Sequence, residues 1–286
     1  MSVAALAQPR RRAPPRQVLV GAAIILTIAF LALLGNAIAP YDPTAFAVRE
    51  RFSPPSALHW FGTDEFGRDV LSRVLSGAHY SLAIGFGATA ISLALGVPLG
   101  LLAAFHRGAI EAIIMRTMDL LIALPPILFG LLVLAVTPPA LWKTIVAVGL
   151  VYVPILTRLT RSVALGLLQE NFVQAARARA EGAISILARE ILPNAWPPII
   201  VESGLRVTFA VLLGSSLSFL GLGAQPPSSE WGLMISESRQ FIDQAPWIGL
   251  APGLCLCVLL VSVNVFGEGL REWLDPRLIG RFRGPS

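Results

Sequence analysis

Six stretches of this chain are apolar for long enough to cross a bilayer, and no other feature constrains its fold as strongly. They are Val18 to Ile38, Ala78 to Phe105, Ala112 to Val136, Leu141 to about Leu156, Pro198 to Leu222 and Ile248 to Gly267. A hydrocarbon core of ~30 Å needs about 20 mainly apolar residues per helix. Charged residues make up only 14% of the 286, where a soluble chain carries about a quarter. The sequence therefore predicts an all-α membrane protein with six transmembrane helices. Pro98, Pro125-Pro126, Pro154 and Pro252 interrupt the spans, which a bundle accommodates because neighbouring helices satisfy the freed backbone groups.

Orientation follows from the basic residues. With the N-terminus inside, fifteen fall in inner segments and six in outer ones, so both termini are expected in the cytoplasm. The apolar run Val18 to Leu34 exceeds a typical signal-peptide core, so the first span reads as an uncleaved anchor despite Ala37-Ile38-Ala39. The expected organisation is a cytoplasmic tail (1–17), a first helix and extracytoplasmic loop (18–77), a five-helix core (78–268) and a cytoplasmic tail (269–286). A cytoplasmic loop at 169–194 lies within the core. The Pro/Arg-rich Gln8 to Arg16 reads as a disordered tail. Cys255 and Cys257, two apart in an apolar run, point to opposite helix faces and read as packing residues.

The cytoplasmic loop carries the most pattern. Asn171 is a suitable N-cap, and Gln174 three residues on can close a capping box. Phe172, Ala175, Ala176 and Ala180 then form one small apolar face, with Arg177, Arg179 and Glu181 elsewhere. Ile184, Leu187, Ala188, Ile191 and Leu192 make a second helical pattern, which Pro193 is expected to stop. By itself this pattern fits a helix on the membrane surface or one that lets another protein's backbone approach.

Gln174-Ala175-Ala176, Gly182 and Ile191-Leu192-Pro193, with Gln174 lying 19 positions before Pro193, resemble the EAA loop of ABC-type importer permeases. Gly62-Thr63-Asp64-Glu65-Phe66-Gly67-Arg68-Asp69-Val70, Phe219 to Pro227 with Glu230-Trp231-Gly232, Gly269-Leu270-Arg271 and Leu274-Asp275-Pro276 resemble the dipeptide/oligopeptide/nickel branch, and in it the second permease of the pair. The resemblance spans most of the chain from about residue 18. It implies a type I ABC importer permease fold in the bacterial inner membrane. A sister permease, two ATP-binding subunits and an extracytoplasmic solute-binding protein would be its partners, besides membrane lipid. The ATPase-coupling residues would be Gln174, Ala175, Ala176, Ala180, Gly182, Ile191, Leu192 and Pro193. Two departures stand out. Gln174 replaces the usual Glu, and Ala180 occupies the usual glycine position with Gly182 two residues later, so the turn between the helices is expected to be built differently.

Other constellations are less specific. Asp64, Glu65, Arg68 and Asp69 gather charge before the second span. Capping and pairing with arginine explain them better than a bound cation, and no metal site is expected. Glu202 and Arg206, four apart inside the fifth span, are either a structural pair or part of a pathway or gate. Arg158 and Arg161 fit the inner interface. Gly96-x-x-x-Gly100 and Gly249-x-x-x-Gly253 suit close helix crossings. From Ser229 to Gln244, Trp231, Met234, Ile235, Ser238 and Ile242 share one side, with Glu230, Glu237 and Asp243 outside it. This predicts an amphipathic helix across the outer mouth, packed on the membrane or at a binding protein's docking site.

Several function classes fall away. The only lysine, Lys143, follows Trp142, so there is no P-loop. No Gly-x-Ser-x-Gly is present, and His59, His79 and His106 sit at span ends or in loops, against a hydrolase. An ion-coupled secondary transporter would show repeated halves and buried coupling residues. The basic residues flank spans instead of forming a patch with aromatics, against nucleic acid. The expectation is a non-enzymatic permease without cofactors, with ATP and Mg on its partner ATPases. Its cargo would be di- or oligopeptides, or alternatively nickel or another small solute.

Overall fold

A computed structural model describes residues 14–136 and 138–274. Arg10, Arg11, Arg12, Arg277, Arg281 and Arg283, Asp275-Pro276 and most of the Gln8 to Arg16 stretch lie outside the described residues. Ten α-helices follow in order: α1 Arg16–Ile38, α2 Val70–Phe105, α3 Ala109–Ile122, α4 Pro126–Ala135, α5 Leu141–Leu167, α6 Asn171–Ala178, α7 Ala183–Ser185, α8 Leu192–Phe219, α9 Trp231–Ser238 and α10 Trp247–Leu274.

The second helix begins eight residues before the expected Ala78, because Asp69 caps it. The Asp69 carboxylate accepts from the Ser72 amide at 2.8 Å and from Ser72 Oγ at 2.7 Å. At its other end α2 lies along α5, and the Gly96-x-x-x-Gly100 pattern makes the crossing. A Cβ on Gly100 would stand 2.6 Å from the Thr157 carbonyl oxygen, and one on Gly96 would stand 2.9 Å from Leu156 Cβ. In the second such pattern only one glycine meets a neighbour: a Cβ on Gly249 would collide with Ser238 of α9, while nothing lies within 4 Å of one on Gly253. The first helix packs on α10 and exposes Leu19, Leu26, Phe30 and Leu33, as lipid-facing surface requires.

The third expected span is broken. Helices α3 and α4 meet at 92°, with Pro125 and Pro126 at the corner. Two successive prolines remove two amide donors, and Pro125 disfavours helical geometry at Leu124. At ~1.5 Å per residue neither piece spans ~30 Å alone. Among the described residues there are five helices long and apolar enough to cross a membrane, and six spans if the bent pair counts as one. Two ion pairs tie α3 to α5, Arg158 with Asp119 and Arg161 with Glu111.

Pro193 does not stop the helix that approaches it. Ala183–Phe219 runs as one helical body of 37 residues, with a π-helical stretch at Ile186–Ile191. The Leu192 amide donates to the Leu187 carbonyl, five residues back, and the wider turn ends where Pro193 has no N–H to give. Pro193 thus sits in the first turn of α8, where a missing donor costs least. Asn194 Nδ2 donates to the Glu190 carbonyl at 2.7 Å.

The end of the bundle opposite the 169–194 loop is closed by buried charge. Asp64 Oδ2 is 2.6 Å from both Arg68 Nε and Arg73 Nη1, and Arg73 Nη2 reaches Glu237 at 3.0 Å. The acidic cluster therefore pairs with arginines and pins the 39–69 segment to α9. Helix α9 does not lie across a surface: Trp231, Leu233 and Met234 are buried, and Trp231 Nε1 donates to the Val74 carbonyl. Glu230, expected outside the apolar stripe, is buried as its N-cap, accepting from Leu233 N at 2.8 Å and Ser215 Oγ at 3.2 Å. Burial pushes its carboxyl above the usual range.

Candidate functional site

The loop 169–194 folds as α6, a tight turn, and the base of the long Ala183–Phe219 body. The N-cap position of α6 is Glu170, not Asn171, and no side chain caps it. Successive turns at Gln169 and Glu170 place the non-helical residue one position earlier. Gln174 does reach back, but its Nε2 donates at 3.2 Å to the Leu168 carbonyl instead of closing a capping box.

The expected alanine face divides. Val173 and Ala176 are fully buried against Ala164, Leu168, Ile186, Ile191 and Ala195, while Phe172 is half-buried and Ala175 and Ala180 are exposed. The inward stripe is the i, i+3 pair Val173 and Ala176, and Val173 was the apolar residue that could have revealed it. Of the other expected coupling residues, Ile191 belongs to the same core, Leu192 is half-buried, and Gly182 and Pro193 are exposed.

The turn answers the question raised by Ala180. Its φ is 58°, its amide donates to the Arg177 carbonyl at 2.9 Å, and the Glu181 amide donates to the Ala176 carbonyl at 3.2 Å. This is a Schellman closure with alanine in the left-handed position that glycine usually takes. Gly182, at φ −66° and ψ 155°, is ordinary extended backbone leading into α7 and does not replace the motif glycine. The turn is thus built at the usual place with an unusual residue. Arg179 braces it, with Nη2 at 2.6 Å from Glu181 and 3.5 Å from Glu190. Arg179, with Ser185, holds the Glu181 carboxyl below its ordinary value. Ile184 stands beyond this brace, 83% exposed.

Deeper in the same body, Arg206 Nη2 is 2.6 Å from Glu202 Oε1. The guanidinium lies 5.6 Å from the centroid of the Tyr152 ring and 5.1 Å from that of Phe209. Tyr152 Oη donates to the Phe209 carbonyl at 3.1 Å, joining α5 to α8 at this level. At ~1.5 Å per residue, Arg206 lies about 20 Å below Phe219 along the helix.

Residues 96–280 match the family of binding-protein-dependent transport system inner membrane components. The chain belongs to this family. It is a multi-pass inner-membrane permease that works within an ABC-type transport system. The permease is 40% identical over 260 residues to the dipeptide transport system permease protein DppC of Alkalihalophilus pseudofirmus, covering 91% of this chain and 86% of that protein. It is also 40% identical over 264 residues to the di/tripeptide transport system permease protein DppC of Pseudomonas aeruginosa, covering 90% and 87%. A solved structure of the MetNI methionine ABC transporter, in an inward-facing conformation, superposes with a TM-score of 0.60. The match is 16% identical and covers 71% of this permease and 96% of that chain. The fold is that of an ABC importer permease.

Proposed function

We propose that this permease forms half of a translocation pathway for di- or oligopeptides, beside a sister permease, with two ATPases beneath and an extracytoplasmic binding protein above. The peptide-transport names of its relatives support the cargo. ATP and Mg belong to the ATPases, and both termini of this chain are cytoplasmic. The ATPases dock on the exposed side of the braced turn, at Ala175, Ala180, Gly182 and Ile184, while Ala176 and Ile191 hold that surface from within. The observation that carries the reading is Ile184, a large apolar side chain held almost fully exposed on a turn fixed by Arg179. Burying such a side chain against a partner is worth roughly 1.5–3 kcal/mol.

The test is Ile184→Glu and Ala175→Arg in the full complex. Both should leave the membrane level of the permease normal and sharply reduce co-purified ATPase and peptide uptake. Normal ATPase retention with normal uptake in both variants overturns the docking assignment. Ala176→Arg is the wrong probe, because it would force a charge into the permease's own core.

A further inference from the structure

Glu202 and Arg206 lie deep in a transmembrane helix, yet their side chains are still 24% and 13% exposed on the subunit. Phe209, Ser216 and Leu220 continue the same stripe of α8 outward at i+7, i+14 and i+18 from Glu202. At its outer end the stripe meets an open apolar groove lined by Ile127, Ser216, Phe219, Leu220 and Ile235. A surface carrying an ion pair is costly against hydrocarbon, so this face turns toward protein or water. The ion pair is itself incomplete. A guanidinium offers Nε and Nη2 on one edge as a fork for a carboxylate, and Glu202 engages only Nη2, leaving Arg206 Nε buried without an acceptor. The rings of Tyr152 and Phe209 flank the guanidinium and restrict its orientation.

We infer that this face of α8 lines the translocation pathway, and that Glu202 and Arg206 form a station for a zwitterionic solute, taking its ammonium and its carboxylate respectively. The inference rests on the peptide-import reading and adds a site to it. Charge conservation favours it. The resting pair is neutral, and a zwitterion exchanges one ion pair for two without leaving an isolated charge at depth. When the solute departs, Glu202 and Arg206 close on each other again, which aids release. The station stands on the same helical body that begins at Ala183 in the docking turn.

The experiment uses the assembled importer in proteoliposomes with saturating binding protein, and reads uptake per ATP hydrolysed for a dipeptide and for its C-terminal amide. The double variant Glu202→Leu, Arg206→Met should assemble and keep binding-protein-stimulated ATPase, with dipeptide uptake per ATP falling at least tenfold. Arg206→Lys, which keeps the charge but not the fork, should lower uptake of the free dipeptide several-fold and that of the amide little. A double variant with normal uptake overturns the station, as does one that fails to assemble while Arg206→Lys handles both peptides normally, since the pair is then structural. A wild-type complex that imports neither peptide overturns the cargo reading instead.

Discussion

At the residue scale, Ala180 is held in a conformation that an L side chain resists by about 1–2 kcal/mol. Ala180→Gly relieves that, against the extra backbone freedom glycine brings to the unfolded chain, worth about 0.4–1 kcal/mol. The expected net effect is a stabilisation of roughly 0.5–1 kcal/mol. The denaturation midpoint of the purified permease should therefore rise, and an unchanged or lower midpoint would show that the turn carries no strain. The sequence made the substitution legible, because Ala180 stands where a glycine is expected. It did not reveal that Ala180 keeps the left-handed geometry while Gly182 stays extended, since that is decided by bonds to Ala176 and Arg177. The cap was misplaced for a similar reason. Asn171 is the better capping residue by type, but the turn through Gln169 and Glu170 sets where the helix starts.

At the element scale, the crossing of α2 and α5 depends on backbone proximity at Gly100, so Gly100→Leu should force the two helices apart. Overpacking of this kind costs typically ~1–3 kcal/mol. The same change at Gly253, which faces open space, should cost much less. Unfolding midpoints of the two variants in detergent measure the difference, and equal midpoints would remove the crossing from the list of stabilising contacts. The sequence held both glycine pairs with equal weight, because spacing says nothing about what stands opposite. The bent third span was more legible than it was read to be. Arg116 and Asp119 lie inside the supposed crossing, and Asp119 and Glu111 pair with arginines of α5, so α3 carries charge that an uninterrupted lipid-facing span would not. Helix α9 was misjudged because its stripe of Trp231, Met234 and Ile235 is the same whether it covers a surface or fills a core. Its buried cap, Glu230, distinguishes the two.

At the scale of the whole molecule, six crossings put both ends on one side, provided the bent α3 and α4 pair counts as one span. In a background with Cys255 and Cys257 replaced by serine, cysteines at Asp42 and Asp243 should react with an impermeant thiol reagent on intact cells. Cysteines at Ala4, Gly182 and Ser286 should react only after permeabilisation. External labelling of either terminus would overturn the topology. Five of the six spans were legible because they follow from run length, which needs no knowledge of packing. The burial of Arg73 between Asp64 and Glu237 was not, since Glu237 lies 164 positions along the chain. The unbroken passage from Ala183 to Phe219 has a mechanical consequence. Its 37 residues make a helical body of about 55 Å, with the π-helical stretch at its foot. A tilt of about 5° pivoted at its foot would sweep Arg206 through about 3 Å and Phe219 through about 5 Å. Travel grows with distance from the pivot, so a small rocking imposed at the Ala183 foot would be geared up into its widest excursion at the Phe219 end.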